Sequence, residues 1–228
     1  MKNRNPNPSR PNQHCLYLAT TGYGKSTALK SNPLFNQVHR QYIWDPGYDH
    51  AAPRAKTMGA FVQSLNTDRQ KIAVTLDKPS HKAFELFCRA LWEKVLNGEH
   101  RVLIVVEEAA GIQSGIGKAG EYWGLLINQS RKFGGIILAT SQRSQEIDKT
   151  ILTQVKNLYV GCHARRDAKI IAREIDVAET EIFSLPIGQF YHKQQGPSPA
   201  KLIDFDSTRN ATRKKSQVLK KTRAKNPK

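Results

Sequence analysis

A glycine-containing segment near the start of the chain has the residue types of a phosphate-binding loop. Residues 19–26 read ATTGYGKS, the Walker A spacing G-x-x-x-x-G-K-[ST] with Ala19 in the first glycine position. An apolar run precedes the segment and a helical pattern follows it, so its backbone N–H groups and the helix N-terminus are placed to meet phosphate. A glycine-containing surface turn is the alternative. The predicted contacts to ATP are Thr21, Gly22, Tyr23, Gly24, Lys25, Ser26 and Thr27.

Two adjacent carboxylates end a later apolar run. Glu107 and Glu108 follow VLIVV at 102–106, a pattern typical of a Walker B strand, although glutamate stands where aspartate is usual. Adjacent residues at the end of a strand point apart. We therefore expect Glu107 to hold Mg²⁺ together with Ser26, and Glu108 to orient and activate water. Solvated acids at a strand end are the alternative, which Lys25 in the same chain disfavours.

A third polar segment, SRKFGGIILATSQRS at 130–144, surrounds another apolar run. A polar side chain at the end of the strand beside Walker B can sense the γ-phosphate by hydrogen bonding, and the candidates are Gln142, Thr140 and Ser141. Arg131 and Arg143 are candidates for stabilising transition-state charge, either within the chain or from a neighbouring subunit. Taken singly, each arginine fits a solvated or phosphate-contacting surface residue better.

Short apolar runs alternate with helical patterns along the chain. Strands are predicted at 15–19, 41–45, 71–76, 101–107 and 135–141, and helices at 26–30, 80–97, 121–133 and 166–175. The alternation predicts one α/β domain over 14–206, with a mainly parallel sheet flanked by helices. Segments 157–163, 188–193 and 200–205 extend the sheet, the last two as an antiparallel hairpin. The glycine-rich segment 111–120 predicts a mobile loop, in which Lys118 is a candidate contact to nucleic-acid phosphate. An ordinary surface loop fits the segment equally well.

Positive charge is concentrated at the two ends of the chain. Of the net charge of +17, residues 209–228 contribute nine Lys or Arg with no acid, so 207–228 is predicted to be a basic disordered tail and 1–13 a basic flexible arm. A polyanion is the expected partner, and Lys214, Lys215, Lys220 and Lys221 are candidate DNA contacts. A solubilising tail is the alternative.

Other residue types indicate the cellular setting. There is no apolar run of about 18 residues and no apolar core of a signal peptide near the N-terminus, so we expect neither a membrane span nor secretion, and a cytoplasmic protein. Cys15, Cys88 and Cys162 are widely spaced and odd in number, which predicts reduced core thiols.

The motifs in this order resemble the HerA/FtsK branch of P-loop motor ATPases. RKFG followed by an apolar strand and ATSQR is similar to the RKFG…TQRP segment of that branch, and TGYGKST, IWDPGYD, VLIVVEE and LPIGQFYH occur in the matching order. The resemblance spans about residues 14–205. The departures from the pattern are Ala19, Glu107, Ser141 inserted in the usual TQR, and Ser144 in place of proline.

Within that branch the chain is most similar to the genome-packaging ATPases of tailless, internal-membrane bacteriophages of the tectivirus type. The resemblance implies a P-loop NTPase fold of the RecA-like, additional-strand type, and a homo-oligomeric ring of six subunits with Arg131 acting in trans. It also implies a motor at a capsid vertex or portal that uses ATP and Mg²⁺ to pump double-stranded DNA into a procapsid, in the virion and the host cytoplasm. A P-loop kinase, a non-packaging DNA translocase and a DNA-binding virion protein with a degenerate nucleotide site remain alternatives.

Overall fold

The computed structural model describes residues 4–67, 70–109, 119–143, 147 and 149–205. These residues form one nine-stranded sheet with helices around it. In spatial order the strands are β3 (Arg54–Ala55), β4 (Lys71–Val74), β2 (Arg40–Trp44), β5 (Val102–Val106), β6 (Gly135–Ser141), β1 (Cys15–Leu18), β7 (Asn157–Val160), β8 (Gln189–Gln194) and β9 (Lys201–Asp204).

The strand directions confirm the predicted sheet. All pairings from β3 to β7 are parallel, whereas β8 is antiparallel to both β7 and β9. Strand β6 lies between β1 and β5, so the strand that enters the Walker A segment is separated by one strand from the strand that ends in the two glutamates. This is the additional-strand arrangement that the resemblance implied. The β8–β9 hairpin is also confirmed.

The helices are shorter and more numerous than the sequence patterns predicted. They are α1 (Lys25–Lys30), α2 (Pro33–Gln37), α3 (Met58–Ser64), α4 (His81–Ala90), α5 (Glu121–Gln129), α6 (Lys149–Gln154), α7 (Arg165–Ile175) and α8 (Glu179–Phe183). The single helix predicted over 80–97 ends as regular α-helix at Ala90 and continues as a π-helical turn, Leu91–Val95. Likewise α5 ends in a 3₁₀ turn, Ser130–Phe133. None of these described helices has the length and apolarity needed to cross a membrane.

The core lies on both faces of the sheet, because the central strands are buried along their whole length. One face packs aromatic side chains against each other, including Trp44, Phe84 and Trp123. The other face packs Tyr17, Leu29 and Phe190. The three cysteines are buried and unpaired, as predicted. Because parallel strands that are buried on both faces are packed firmly, the residues at their ends have fixed positions. These strand ends form the two edges of the sheet that are described next.

The carboxyl edge is the side at which β1, β5 and β6 end, at Leu18, Val106 and Ser141. The amino edge is the opposite side, where the same strands begin. Residues that follow parallel strands meet at the carboxyl edge, so the Walker A segment, the two glutamates and Gln142 come together there.

Residues 4–13, predicted to be flexible, lie along the amino edge; we call them the arm. Asn5 N donates to Asn97 O (2.7 Å) and Asn7 N donates to Lys132 O (2.8 Å). The Arg4 guanidinium lies 4.2 Å from the centre of the Trp92 ring. These hydrogen bonds and the cation–π contact connect the arm to the domain. That the arm is flexible stays a prediction.

Candidate functional site

The Walker A segment forms an open loop between β1 and α1. Gly22 and Gly24 have φ of 83° and 87°, and their N–H groups have no hydrogen-bond partner among the described residues. No atom lies within 4 Å of the position that a Cβ on Gly22 would occupy. Thr20 N donates to Cys162 O (2.8 Å), which ties the loop to the residues after β7. Unpaired backbone donors around open space fit phosphate oxygens.

Lys25 carries a buried positive charge without a carboxylate partner in the part of the chain that the structure describes. The side chain is 7% exposed and its Nζ lies 3.4 Å from Thr20 O. Burial lowers the pKa of Lys25, whereas Glu108, Glu107 and Asp49 act in the opposite direction. A desolvated ammonium gains most from a nearby anion. The position therefore suits the phosphates of a nucleotide.

Glu107 is 1% exposed and is held through both carboxylate oxygens. Its Oε2 accepts from Thr140 Oγ1 (2.6 Å) and from Ser26 Oγ (3.4 Å). Its Oε1 lies 2.7 Å from His50 Nε2, which donates because a carboxylate oxygen accepts. Ser26 and Glu107 thus offer adjacent oxygens, the ligand type that Mg²⁺ takes, with room left for nucleotide and water oxygens. The residues present fit Mg²⁺.

The Glu108 carboxylate has a different partner from the Glu107 carboxylate and is connected to the Walker A loop. Its φ of 55° is in the left-handed region, and its N–H donates to Thr140 Oγ1 (3.1 Å). Its Oε1 accepts from Gln142 Nε2 (2.8 Å), and Gln142 Oε1 accepts from Thr21 Oγ1 (2.5 Å). A hydrogen-bonded path therefore runs from the second glutamate through Gln142 to the loop.

Of the three polar residues that were candidate sensors, Gln142 is the one whose side chain bonds to the Glu108 carboxylate. Thr140 is buried and bonds to Glu107. Ser141 is buried and its Oγ donates to Arg143 O (3.4 Å). Although Ser141 is inserted in the usual TQR spacing, Gln142 still lies at the site.

Sequence reasoning missed His50 and the turn that holds it. Asp45, fully buried at the end of β2, accepts from Asp49 N (2.7 Å), His50 N (3.1 Å) and Arg54 Nη1 (2.9 Å). Burial, then Glu107 and Asp45, raise the pKa of Asp49. The polar run DPGYDH after an apolar strand was a signal, but its link to Glu107 depends on the pairing of β2 with β5.

The opposite wall of the loop comes from the segment before β8 and from the end of β7. Gly188 N donates to Tyr23 O (3.4 Å), and Ile187 beside it is 60% exposed. His163 is buried, with Nδ1 2.9 Å from Gly161 O. Burial lowers the pKa of His163, and the Lys25 charge lowers it further. Ser26 and Thr27 lie in the first turn of α1, so the whole predicted ATP-contact set is in one place.

Arg131 is not at this site. It lies in the 3₁₀ turn before β6, at the amino edge, and the seven residues of β6 place it about 20 Å from the Walker A loop of its own chain. Its Nη1 donates to Pro8 O (2.7 Å) and to Arg10 O. A contact of Arg131 with the phosphates of its own chain is excluded by this distance, and action on a neighbouring subunit stays a prediction. Arg143, in contrast, follows β6 at the carboxyl edge.

The predicted DNA contacts lie outside the described residues. These are Lys118 in the glycine-rich segment, and Lys214, Lys215, Lys220 and Lys221 in the basic tail.

Comparisons with known proteins agree with this fold. No protein-family model matches the chain. Protein P9 of Pseudoalteromonas phage PM2 is 30% identical over 220 residues, which cover 93% of this chain and 94% of P9.

Two solved structures share the architecture. The genome-packaging NTPase B204 of Sulfolobus turreted icosahedral virus 2, in complex with AMPPCP, matches with a TM-score of 0.65 at 16% identity, over 84% of this chain and 97% of that chain. The pCW3 conjugation coupling protein TcpA, with ATPγS, matches with a TM-score of 0.58 at 19% identity, over 86% of this chain and 60% of that chain. The predicted P-loop NTPase fold is confirmed.

Proposed function

The chain belongs to the family of Protein P9 of phage PM2, of the HerA/FtsK type, and on that premise we propose that it is a genome-packaging ATPase that moves double-stranded DNA into a viral procapsid. The observation that carries the proposal is the meeting of three separate sequence motifs at the carboxyl edge. Ser26 contacts Glu107, and Thr21 reaches Glu108 through Gln142. If residues 19–26 were only a surface turn, or Glu107 and Glu108 only solvated acids, these side chains would have no reason to contact one another.

In this mechanism the chain binds the triphosphate through the loop N–H groups and the Lys25 ammonium. Ser26 and Glu107 hold Mg²⁺, which when bound screens the charge of the phosphate oxygens. Glu108 orients a water molecule and takes its proton as the water oxygen attacks the γ-phosphorus. The bond from the γ-phosphorus to the oxygen that bridges it to the β-phosphate breaks in the same step, so ADP and inorganic phosphate leave. Gln142, bonded to both Glu108 and Thr21, is placed to respond to loss of the γ-phosphate.

The assembly part of the proposal is a ring of six copies at a capsid vertex, formed in the host cytoplasm and carried in the virion. A ring whose subunits contact head to tail brings two different surfaces together at every interface. Arg131 then acts on the nucleotide of the neighbouring copy. The DNA contacts are assigned to Lys118 and to the tail lysines, since phosphate contacts without base contacts suit the movement of any sequence.

The test is ATP turnover with and without double-stranded DNA, for the wild type, Lys25→Ala and a matched control, Lys30→Ala. Lys30 is in the same helix and donates to Asp49 O, outside the loop. We expect DNA to stimulate wild-type turnover, Lys25→Ala to abolish it, and Lys30→Ala to retain most of it.

A chain that ends at 206 should keep ATP turnover but bind DNA more weakly and with a smaller salt dependence. Equal turnover in Lys25→Ala and the wild type would reject the nucleotide site. Turnover that DNA leaves unchanged would reject the motor and favour a P-loop enzyme acting on a small substrate.

A further inference from the structure

The amino edge of the sheet carries a cavity of about 540 Å³ that the nucleotide site does not use. The arm forms one wall through Asn7, Arg10 and Gln13, and the domain forms the other through Glu99, Arg101 and Arg131. We call this cavity the arginine pocket. It lies at the opposite end of β6 from Gln142, so it is separate from the Walker A loop of the same chain.

The charges of the arginine pocket are not neutralised within the described residues. Arg10 Nη2 donates to Gly98 O (2.5 Å), Arg101 Nη2 to Gln13 Oε1 (3.0 Å), and Arg131 Nη1 to Pro8 O (2.7 Å). All three acceptors are neutral. These bonds fix the three guanidinium groups without removing their charge.

One carboxylate lines the pocket beside the three guanidinium groups, which leaves a net charge of 3 − 1 = +2. That carboxylate belongs to Glu99 and accepts from Asn97 Nδ2 (2.7 Å). Guanidinium groups bind phosphate through paired N–H donors, and several held together favour a polyanion over a single charge.

The arm is fitted to its place, because two glycines leave the room that it occupies. A Cβ on Gly98 would lie 1.8 Å from Asn5 O. A Cβ on Gly134 would lie 2.7 Å from Arg10 Nη1 and 2.1 Å from His100 O. Any side chain at either position would displace the arm or its arginine. The wall that carries Arg10 is therefore a built part of the pocket.

The surface with complementary charge is the carboxyl edge. Glu107, Glu108 and Asp49 lie there around the Walker A loop, and a bound nucleotide adds its phosphates. A closed ring with head-to-tail contacts needs two different surfaces that match each other in charge. The arginine pocket and the nucleotide-bearing edge are two different surfaces at opposite ends of β6, so one copy can contact the next head to tail.

We propose that the arginine pocket receives the nucleotide-bearing carboxyl edge of a second copy of this chain, with Arg10 and Arg101 contacting the phosphates beside Arg131. The proposal rests on the proposed function, because the phosphates come from the neighbour's nucleotide. It assigns the arm to the subunit interface and gives roles to two arginines that the motifs do not include.

The test compares Arg10→Gln and Arg101→Gln with Arg173→Gln, which removes an exposed charge on α7 that does not line the arginine pocket. Two quantities are measured: the affinity of the dilute single chain for a fluorescent ATP analogue, and self-association by sedimentation velocity with a non-hydrolysable ATP analogue and Mg²⁺. Arg101 is exposed, and its side chain makes one hydrogen bond to another described residue, so Arg101→Gln should fold normally even if Arg10→Gln loosens the arm.

We expect both pocket variants to bind the analogue within about twofold of wild type, and to need about tenfold more protein to associate, the effect of losing one charge-assisted contact. Arg173→Gln should match wild type in both measurements. Association equal to wild type in both pocket variants would overturn the proposal.

Other outcomes would also overturn the proposed interface, and they distinguish its failure from a failure of the proposed ATPase function. A wild type that binds nucleotide but does not associate, or pocket variants that lose only DNA affinity, would reject this interface and leave the ATPase in place. In the second case the pocket binds DNA phosphate instead. A wild type that binds no nucleotide would reject the ATPase and, with it, the interface.

Discussion

His50 should determine how tightly the site holds Mg²⁺, and replacing it by asparagine or glutamine tests this. His50 and Glu107 are each 1% exposed, and their side chains are 2.7 Å apart. His50 Nδ1 has no hydrogen-bond partner among the described residues, so the ring's contact with Glu107 is through Nε2. A glutamine amide nitrogen can take the position of Nε2, whereas an asparagine amide is one methylene too short.

The size of the effect follows from the loss of one buried hydrogen bond to a charged group. Such a bond is worth about 1.5–3 kcal/mol, or about 10- to 150-fold in an equilibrium constant. Glu107 retains Thr140 and Ser26 as donors, so the lower part of that range applies. We expect His50→Asn to raise, by about tenfold, the Mg²⁺ concentration at which ATP turnover is half-maximal. A change of this size is usual for a residue that orients a metal ligand. His50→Gln should restore most of the loss.

The assay titrates Mg²⁺ in two ways: by ATP turnover, and by calorimetric binding of a non-hydrolysable ATP analogue, which does not depend on turnover. His14→Asn is the control, since His14 is equally buried but lies at the amino edge. It should change stability without moving the Mg²⁺ midpoint. If His50→Asn and His50→Gln lower thermal stability alike and leave the midpoint unchanged, His50 is structural and the reasoning fails.

Two further predictions concern Glu108 and His14. Glu108→Gln should bind ATP as wild type does but slow single-turnover hydrolysis by about 100-fold or more, because an amide cannot take the proton from water; equal rates would remove Glu108 as the base. Burial, then the Arg131 charge, lower the pKa of His14 to about 4, and its Nδ1 accepts from Ile137 N (3.1 Å). The unfolded chain therefore takes up a proton below about pH 6.5 that the folded chain refuses, so stability falls between about pH 6.5 and 4, by about 2 kcal/mol at pH 5. Urea unfolding at pH 7 and 5 should show a smaller acid loss in His14→Asn, and an equal loss in both proteins would contradict this.

The parts that sequence predicted well are those where one local pattern determines both structure and chemistry. The runs before Ala19, Glu107 and Gln142 are apolar, branched and bounded by polar or glycine residues, so β1, β5 and β6 were placed to within about one residue. The Walker A spacing lies in the loop between β1 and α1, and the nucleotide contacts of its residues stay a prediction. The placement of β6 between β1 and β5 came only with the resemblance, because strand order is a long-range property.

Short elements and contacts between distant segments were not predictable. Helix α2 has five residues, which is less than two helical periods, and strand β3 has two residues, which is a single strand period. Neither is long enough to show a hydrophobic pattern. The contact of His50 with Glu107 exists because Trp44 pairs with Val106, which places the ends of β2 and β5 side by side. The contacts of the arm could not be predicted either, since composition measures average burial and charge, whereas these contacts depend on a few specific residues at the amino edge.

Glu107 shows why a departure from a motif need not mean a lost function. A glutamate has one more rotatable bond than the usual aspartate, so its carboxylate must be fixed by other groups. Here the Thr140 hydroxyl and the His50 ring hold opposite oxygens, and Thr140 also accepts the N–H of Glu108. One threonine thus orients both acids. The longer side chain is matched by its surroundings, which argues against the degenerate-site alternative.

The geometry divides the proposed reaction between chains. A single chain holds the loop donors, Lys25 and both acids at its carboxyl edge, and we expect these groups to be enough to bind nucleotide. Arg131 and the arginine pocket are about 20 Å away at the amino edge, so their charge can reach a γ-phosphate only when another copy is present. Binding should therefore be a property of the single chain and hydrolysis a property of the assembly, with turnover per chain rising as protein concentration increases through the association range. Constant turnover per chain across that range would show that one chain supplies all the catalytic charge, and that the arginines of the amino edge serve only to hold the arm.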